Sequence, residues 1–146
     1  TRKIGATLTE LGIPYNLRVA SAHKTPHRLL EIVDENERSE SRFVYITVAG
    51  RSNALSGFVD ANTRFPVIAC PPLSATFSGA DIYSSLRMPS GVAPLVVLDP
   101  ANAGLAAAKI LALSNDQIRE KVKSYQQRFK DRVNTADLQV KKSGRK

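Results

Sequence analysis

Phe43-Val44-Tyr45-Ile46-Thr47-Val48-Ala49, closed by Gly50-Arg51-Ser52-Asn53, is the stretch from which the fold can be read. Its residues are β-branched, aromatic or apolar without alternation, which marks a strand buried on both faces, as in a parallel sheet. Gly50 ends the run, and Ser52-Asn53 opens a helix. The same succession recurs downstream. Val67-Ile68-Ala69-Cys70 is a short strand halted by Pro71-Pro72, and Gly79–Met88 reads as a helix stopped by Pro89. Leu95-Val96-Val97-Leu98 is a further apolar strand, and Ala101–Leu113 is Ala-rich with strong helix propensity. Upstream, Thr1–Leu11 has apolar residues at Ile4, Ala6, Leu8 and Leu11, fitting a short amphipathic helix ended by Gly12. Tyr15-Asn16-Leu17-Arg18-Val19 alternates like a strand. Thr25-Pro26 starts a helix, with Thr as N-cap, Pro at the first helical position and Leu29, Leu30 and Val33 as its buried stripe. Four strands alternating with helices predict an α/β fold, a parallel sheet covered by helices on both faces. In such sheets the ligand crevice lies beyond the carboxyl ends of the strands.

Composition narrows the function classes. The 146 residues suit one domain, and 42% hydrophobic with 23% charged residues is near the globular average. No apolar run approaches the roughly 18 residues a membrane helix needs, and Thr1–Gly5 has no h-region of a signal peptide. A single cysteine, Cys70, excludes an intramolecular disulfide framework and a Cys-based zinc site. These features read as a soluble, cytoplasmic domain without a membrane partner. The formal charge of +8 is unevenly placed: residues 1–116 carry 11 Lys+Arg and 10 Asp+Glu, residues 117–146 carry 10 and 3. A neutral body with a basic end has a local field. It reads as a solvated helix face and a frayed tail at 141–146, in preference to a nucleic-acid track. Ser114 would cap the final helix, whose Ile118, Val122, Tyr125, Phe129 and Val133 form a regular stripe that should dock, most simply on a neighbouring subunit. The expected layout is one domain over 1–146: an αβ body at 1–113, a C-terminal helix at 114–140 for oligomer packing, and a basic tail at 141–146.

The segments after the strands carry the candidate chemistry. Ser21-Ala22-His23-Lys24-Thr25-Pro26 places a proton-moving imidazole beside a cation at the approach to a helix N-terminus. A lone loop histidine is more often structural or merely exposed, and the strand-end position is what favours function; His27 reads as surface. Ala49-Gly50-Arg51-Ser52-Asn53 combines a glycine that lets a ligand approach the backbone with a cation and a hydroxyl. The plainer reading is a strand-to-helix turn with Ser52 as N-cap. Cys70 has no adjacent base and reads as a small buried hydrophobe; Pro71-Pro72 form a rigid wall. Asp60, Asp81 and Asp99 lack metal-ligand spacing, and no G-x-x-x-x-G-K-[ST] or G-x-G-x-x-G fingerprint is present.

Three segments in order, Ser21–Pro26, Val48–Asn53 and Ser84-Ser85-Leu86-Arg87-Met88-Pro89-Ser90-Gly91, together resemble the aminoimidazole ribonucleotide (AIR) carboxylase family of purine biosynthesis. Lys24 and Gly50–Asn53 resemble its class II branch, which uses carbon dioxide directly. The class I mutase branch has Arg after the histidine and an Ala-Gly-Gly-Ala-type turn. The resemblance, running from about Ile4 to the start of the last helix, implies a flavodoxin-like three-layer αβα sandwich, assembled as a homo-octamer with sites between subunits. It implies reversible carboxylation of AIR to carboxyaminoimidazole ribonucleotide without ATP, biotin, metal or other cofactor. Carried over residue by residue, His23 is the proton shuttle. Ser21, Ala22, Lys24, Gly50, Arg51 and Ser52 line the substrate site, and Ala49, Gly50, Pro71 and Pro72 form the carbon dioxide pocket.

The chain departs from the pattern at its start. The family begins with an apolar strand and a Gly-Ser-x-Ser-Asp type loop that holds the substrate phosphate and ribose, whereas Thr1 opens the helix that follows. That strand would be central in a flavodoxin-like sheet. The expectation is that roughly fifteen to twenty residues, one strand plus a loop, precede Thr1 in the native protein. The alternatives are a non-catalytic nucleotide-binding homologue lacking the phosphate loop and, within the enzymes, the mutase acting on the N-carboxylated isomer of AIR.

Overall fold

The computed structural model describes residues 1–72 and 74–144. Among these, six helices and three strands follow in chain order: α1 Arg2–Glu10, α2 Pro26–Glu37, β1 Tyr45–Thr47, α3 Ala54–Ala61, β2 Val67–Ala69, α4 Tyr83–Leu86, β3 Leu95–Val96, α5 Pro100–Leu111 and α6 Asp116–Ser143. The strands form one parallel sheet in the order β1-β2-β3, with Tyr45 opposite Val67 and Ile68 opposite Leu95. Successive β2 residues face opposite ways, as strand geometry requires, and so enter two cores. Ile68 and Cys70 join Ile4, Leu8 and Leu11 of the α1 region, Ala103, Ala107 and Ala108 of α5, and Val122 and Tyr125 of α6. Val67 joins Leu29 and Val33 of α2 and Val59 of α3. This is the expected three-layer arrangement, with α1, α5 and α6 on one face and α2 and α3 on the other. Burying a side chain such as Ile68 or Val33, both fully enclosed, stabilises by about 1.5–3 kcal/mol. The small residues of α5 allow a close approach: a methyl group on Gly104 would meet Thr7 Cβ at 3.0 Å and the Ile4 carbonyl at 3.2 Å.

Several expectations are corrected. Tyr15–Val19 is not a strand. No backbone–backbone hydrogen bond reaches Asn16–Ala20 among the described residues, and Leu17 and Val19 are 72% and 97% exposed. The alternation is genuine, but a strand exists only with a ladder partner, and among the described residues none pairs with this segment. The Phe43–Ala49 strand contracts to Tyr45–Thr47, in which Thr47 is buried but Tyr45 and Ile46, on opposite faces, are only partly so, because β1 is an edge here. Only β2, paired on both sides, is buried throughout. Leu95 and Leu98 are half exposed for the same reason at the other edge. In α2 the buried stripe is Leu29, Ile32 and Val33, with Leu30 exposed. The span Gly79–Met88 is not one helix but a 3-10 turn at Ala80–Ile82 followed by the single turn α4.

Two caps shift by one residue. Asn53, not Ser52, caps α3 by accepting from the Ser56 N–H, and Asn115, not Ser114, caps α6 by accepting from the Ile118 N–H. The α6 stripe divides. Ile118, Val122 and Tyr125 pack on the chain's own core, whereas Phe129 is 48% and Val133 70% exposed. Only the outer half is therefore left for a neighbour. The helix continues to Ser143, so it takes in Lys141-Lys142-Ser143 of the expected frayed tail; Arg145 and Lys146 lie outside the described residues.

Candidate active site

Gly50 follows β1 and Pro71-Pro72 follow β2, so parallel pairing delivers both to the same edge of the sheet. They meet closely. A Cβ on Gly50 would lie 2.9 Å from the Pro72 carbonyl oxygen and 3.3 Å from Pro72 Cγ, a separation only glycine permits. The four residues expected to wall a small apolar pocket, Ala49, Gly50, Pro71 and Pro72, are thus brought together. The ladder extends to this point: Cys70 N–H donates to the Thr47 carbonyl at 2.8 Å and Val97 N–H to the Ala69 carbonyl at 2.9 Å.

The turn after Gly50 is held from a distance. Arg51 has φ +59°, the left-handed region that a residue with a Cβ adopts at a cost of about 1–3 kcal/mol. Its N–H donates to Asp81 Oδ2 at 3.1 Å. The Ser84 hydroxyl lies 2.8 Å from the Arg51 carbonyl and 2.7 Å from the Asp81 carbonyl, and accepts from the Asn53 N–H at 3.0 Å. Asn53 is buried and uses both ends of its amide: Oδ1 accepts from Ser56 N–H at 3.2 Å, and Nδ2 donates to the buried Ser85 Oγ at 2.9 Å. The second and third motifs of the sequence are therefore one hydrogen-bonded unit. The Arg51 and Ser52 side chains are exposed on its surface.

The Ser21–Pro26 turn is separate and self-contained. Ser21 N–H donates to Thr25 Oγ1 at 2.9 Å, Thr25 Oγ1 donates to the Ser21 carbonyl at 3.3 Å, and Lys24 N–H donates to Ser21 Oγ at 3.2 Å. Thr25 sits at the N-cap of α2 as expected, yet its side chain turns back to Ser21 and does not cap the helix. Ala22 packs on the Leu29–Val33–Val59–Val67 core, together with Leu55 and Phe58 of α3. The turn thus shares a foundation with the helix that Gly50–Asn53 opens. His23 and Lys24 are exposed, and so is His27, as expected for a surface residue. Among the described residues no hydrogen bond joins this turn to Gly50–Ser52. Cys70 is buried, its thiol directed at the Leu98 carbonyl (3.8 Å), and burial raises its pKa, as suits a small hydrophobe.

Asp81, Ser84 and Ser85 are absent from the site residues expected from sequence. The signal is present in the Ser84–Gly91 motif, but nothing local says that its serines face Arg51 and Asn53 across thirty residues. No cluster of three His, Cys, Asp or Glu side chains arranged to hold a metal is found among the described residues. None of the described helices is long and apolar enough to cross a membrane.

A family model described as AIR carboxylase matches residues 1–132. The chain belongs to the AIR carboxylase family. Phosphoribosylaminoimidazole carboxylase of Archaeoglobus fulgidus is 54% identical to it over 141 residues, 97% of this chain and 77% of that protein. The Treponema denticola protein of the same name is 48% identical over 140 residues, 96% of this chain and 88% of its own. The crystal structure of Treponema denticola PurE superposes with a TM-score of 0.94 at 48% identity, covering 96% of this chain and 89% of that one. The architecture of this AIR carboxylase family member is accordingly flavodoxin-like.

Proposed function

We propose that this chain is a class II AIR carboxylase, joining carbon dioxide reversibly to the ring carbon of aminoimidazole ribonucleotide in purine biosynthesis. The observation that carries the reading is the close seating of Gly50 on Pro72 beside the braced Arg51–Asn53 turn, at the carboxyl edge of β1 and β2. Small apolar walls suit a nonpolar gas. The enamine-like ring carbon supplies the electron pair for the new carbon–carbon bond. His23 then takes the proton that this carbon loses, and in the reverse direction returns it as carbon dioxide leaves. Lys24, Arg51 and Ser52 offer charge and hydrogen bonds to carboxylate and nucleotide, with Ser21 and Ala22 shaping the floor. No cofactor enters this scheme.

The test compares the parent chain with His23→Asn, following the absorbance change as carboxyaminoimidazole ribonucleotide is decarboxylated. The parent should turn over, and a folded His23→Asn should lose about 100-fold or more in kcat. A folded parent without activity would favour a non-catalytic nucleotide-binding homologue. Activity on the N-carboxylated isomer, without dependence on carbon dioxide, would favour the mutase.

We further propose a cytoplasmic homo-oligomer, with an octamer as the expected form. The support is a single buried free thiol and the outer half of α6, where Phe129, Val133, Leu138 and Val140 are exposed apolar residues on a strongly basic helix. The double variant Phe129→Ser with Val133→Ser should sediment at lower mass; an unchanged mass would remove α6 from the interface. Tyr125 is unsuitable for this test because it belongs to the chain's own core.

A further inference from the structure

We propose that Asp81 is a positioning residue of the carboxylase site, fixing the Arg51 backbone in the conformation that substrate meets. The inference rests on the carboxylase reading of that site. Asp81 lies in the 3-10 turn between β2 and α4, and the hydrogen bond its side chain makes is with the Arg51 N–H, at 3.1 Å. Its other oxygen, Oδ1, is buried without a hydrogen-bond partner among the described residues. A carboxylate oxygen shielded from water and left unpaired is unfavourable for stability. Asp81 is therefore poorly explained as a stabilising surface residue and better explained by what its paired oxygen holds.

What it holds is a strained residue. Arg51 is in the left-handed region with φ +59°, from which a side chain with a Cβ relaxes unless the surroundings prevent it. Its two backbone polar groups are engaged on opposite sides: the N–H donates to Asp81, and the carbonyl lies 2.8 Å from the Ser84 hydroxyl, whose one proton it shares with the Asp81 carbonyl at 2.7 Å. Capture of both fixes the rotation at residue 51. It thereby keeps Gly50 against Pro72 and sets the backbone from which Arg51 and Ser52 project. The Asp81→Asn variant would retain the acceptor oxygen without the charge.

The experiment pairs Asp81→Ala with Asp81→Asn and reads two quantities in the full chain. The first is amide hydrogen exchange of the segment spanning residues 48–54, which needs no activity. The second is the separate kcat and KM for AIR. In Asp81→Ala exchange should accelerate about 10-fold, because the amide loses its acceptor. KM should rise about 10- to 100-fold with kcat changed less than about threefold, since the binding surface is displaced while the His23 proton step is not. Asp81→Asn should restore both to within about threefold of the parent. Unchanged exchange in a folded Asp81→Ala overturns the proposal, and so does faster exchange with parental kinetics, or an Asp81→Asn as impaired as Asp81→Ala. Should Asp81→Ala not fold, Ser84→Ala must show the same pattern more weakly, and parental behaviour there overturns it. An inactive parent chain would sink the carboxylase reading alone, and the exchange measurement would still decide whether Asp81 fixes the turn.

Discussion

The Gly50–Asn53 turn is held by residues thirty positions away, whereas the Ser21–Thr25 turn is held by its own ends. In the first, Asp81, Ser84 and Ser85 bond to Arg51 and Asn53, and Pro72 closes on Gly50. In the second, the side-chain hydrogen bonds run among Ser21, Lys24 and Thr25, and the His23 and Lys24 side chains stand in solvent. Long-range bonds fix a surface before any ligand arrives, which lowers the cost of binding. Local bonds fix the shape of a turn but leave its side chains their rotamer freedom. On the proposed reading, the first turn would serve as a template for the substrate, and the second would present His23, which must move a proton and needs that freedom. If this contrast is right, damage to the two turns should differ in kind.

The largest effect is expected where the template is tightest. Gly50→Ala sets a methyl carbon 2.9 Å from a backbone carbonyl oxygen, and neither partner is the end of a flexible side chain. The turn or the Pro71-Pro72 wall must shift. A displacement near 1 Å costs about 100-fold in rate, and overpacking of this kind destabilises by about 1–3 kcal/mol. The check is kcat/KM beside a thermal melt. A Gly50→Ala enzyme within threefold of the parent would show that the seating on Pro72 has no bearing on the pocket.

A smaller effect belongs to the other turn. Thr25→Val keeps the volume and deletes the hydroxyl that both accepts from and donates to Ser21. Each neutral hydrogen bond contributes about 0.5–1.5 kcal/mol net, so stability should fall by about 1–2 kcal/mol. If the local bonds serve only to present His23, kcat should fall about 10-fold while KM stays near the parental value. A rise in KM with kcat intact would erase the contrast, because this turn too would then be acting as a binding template.

The same division between local and long-range information explains what the sequence could show. The helix start at Pro26, the Ala-rich helix from about Ala101, the apolar run through Tyr45–Thr47 and the α1 stripe are legible because each depends on neighbours within a few residues. Tyr15–Val19 has the local pattern of a strand and is not one, since pairing depends on what lies alongside. The α6 stripe is regular enough to demand a partner, but only packing reveals that Val122 and Tyr125 meet their own core while Phe129 does not. Asp81 escapes a sequence reading for the same reason. A lone aspartate carries no local sign that its carboxylate will face the N–H of residue 51.

The smallest effect concerns Cys70, which lies under the template next to the proline wall. Burial raises its thiol pKa above the ordinary value, with Asp99 acting in the same direction. The unfolded thiol ionises near pH 8.5, while the folded one keeps its proton to higher pH. Below about pH 8.5 both states are protonated, and the thiol makes no pH-dependent difference. Above it the unfolded state sheds a proton that the native state retains, so native stability must fall as pH rises through the folded pKa. Tyr45, whose pKa burial also raises, adds a loss of the same sign at higher pH. Urea midpoints at pH 7, 8.5 and 9.5 should therefore decline, and Cys70→Ala should decline less over the same interval. Parallel declines in the two proteins would mean that Cys70 is solvated enough to ionise in the native state. The underside of the Pro71-Pro72 wall would then be wetter than a carbon dioxide pocket should be.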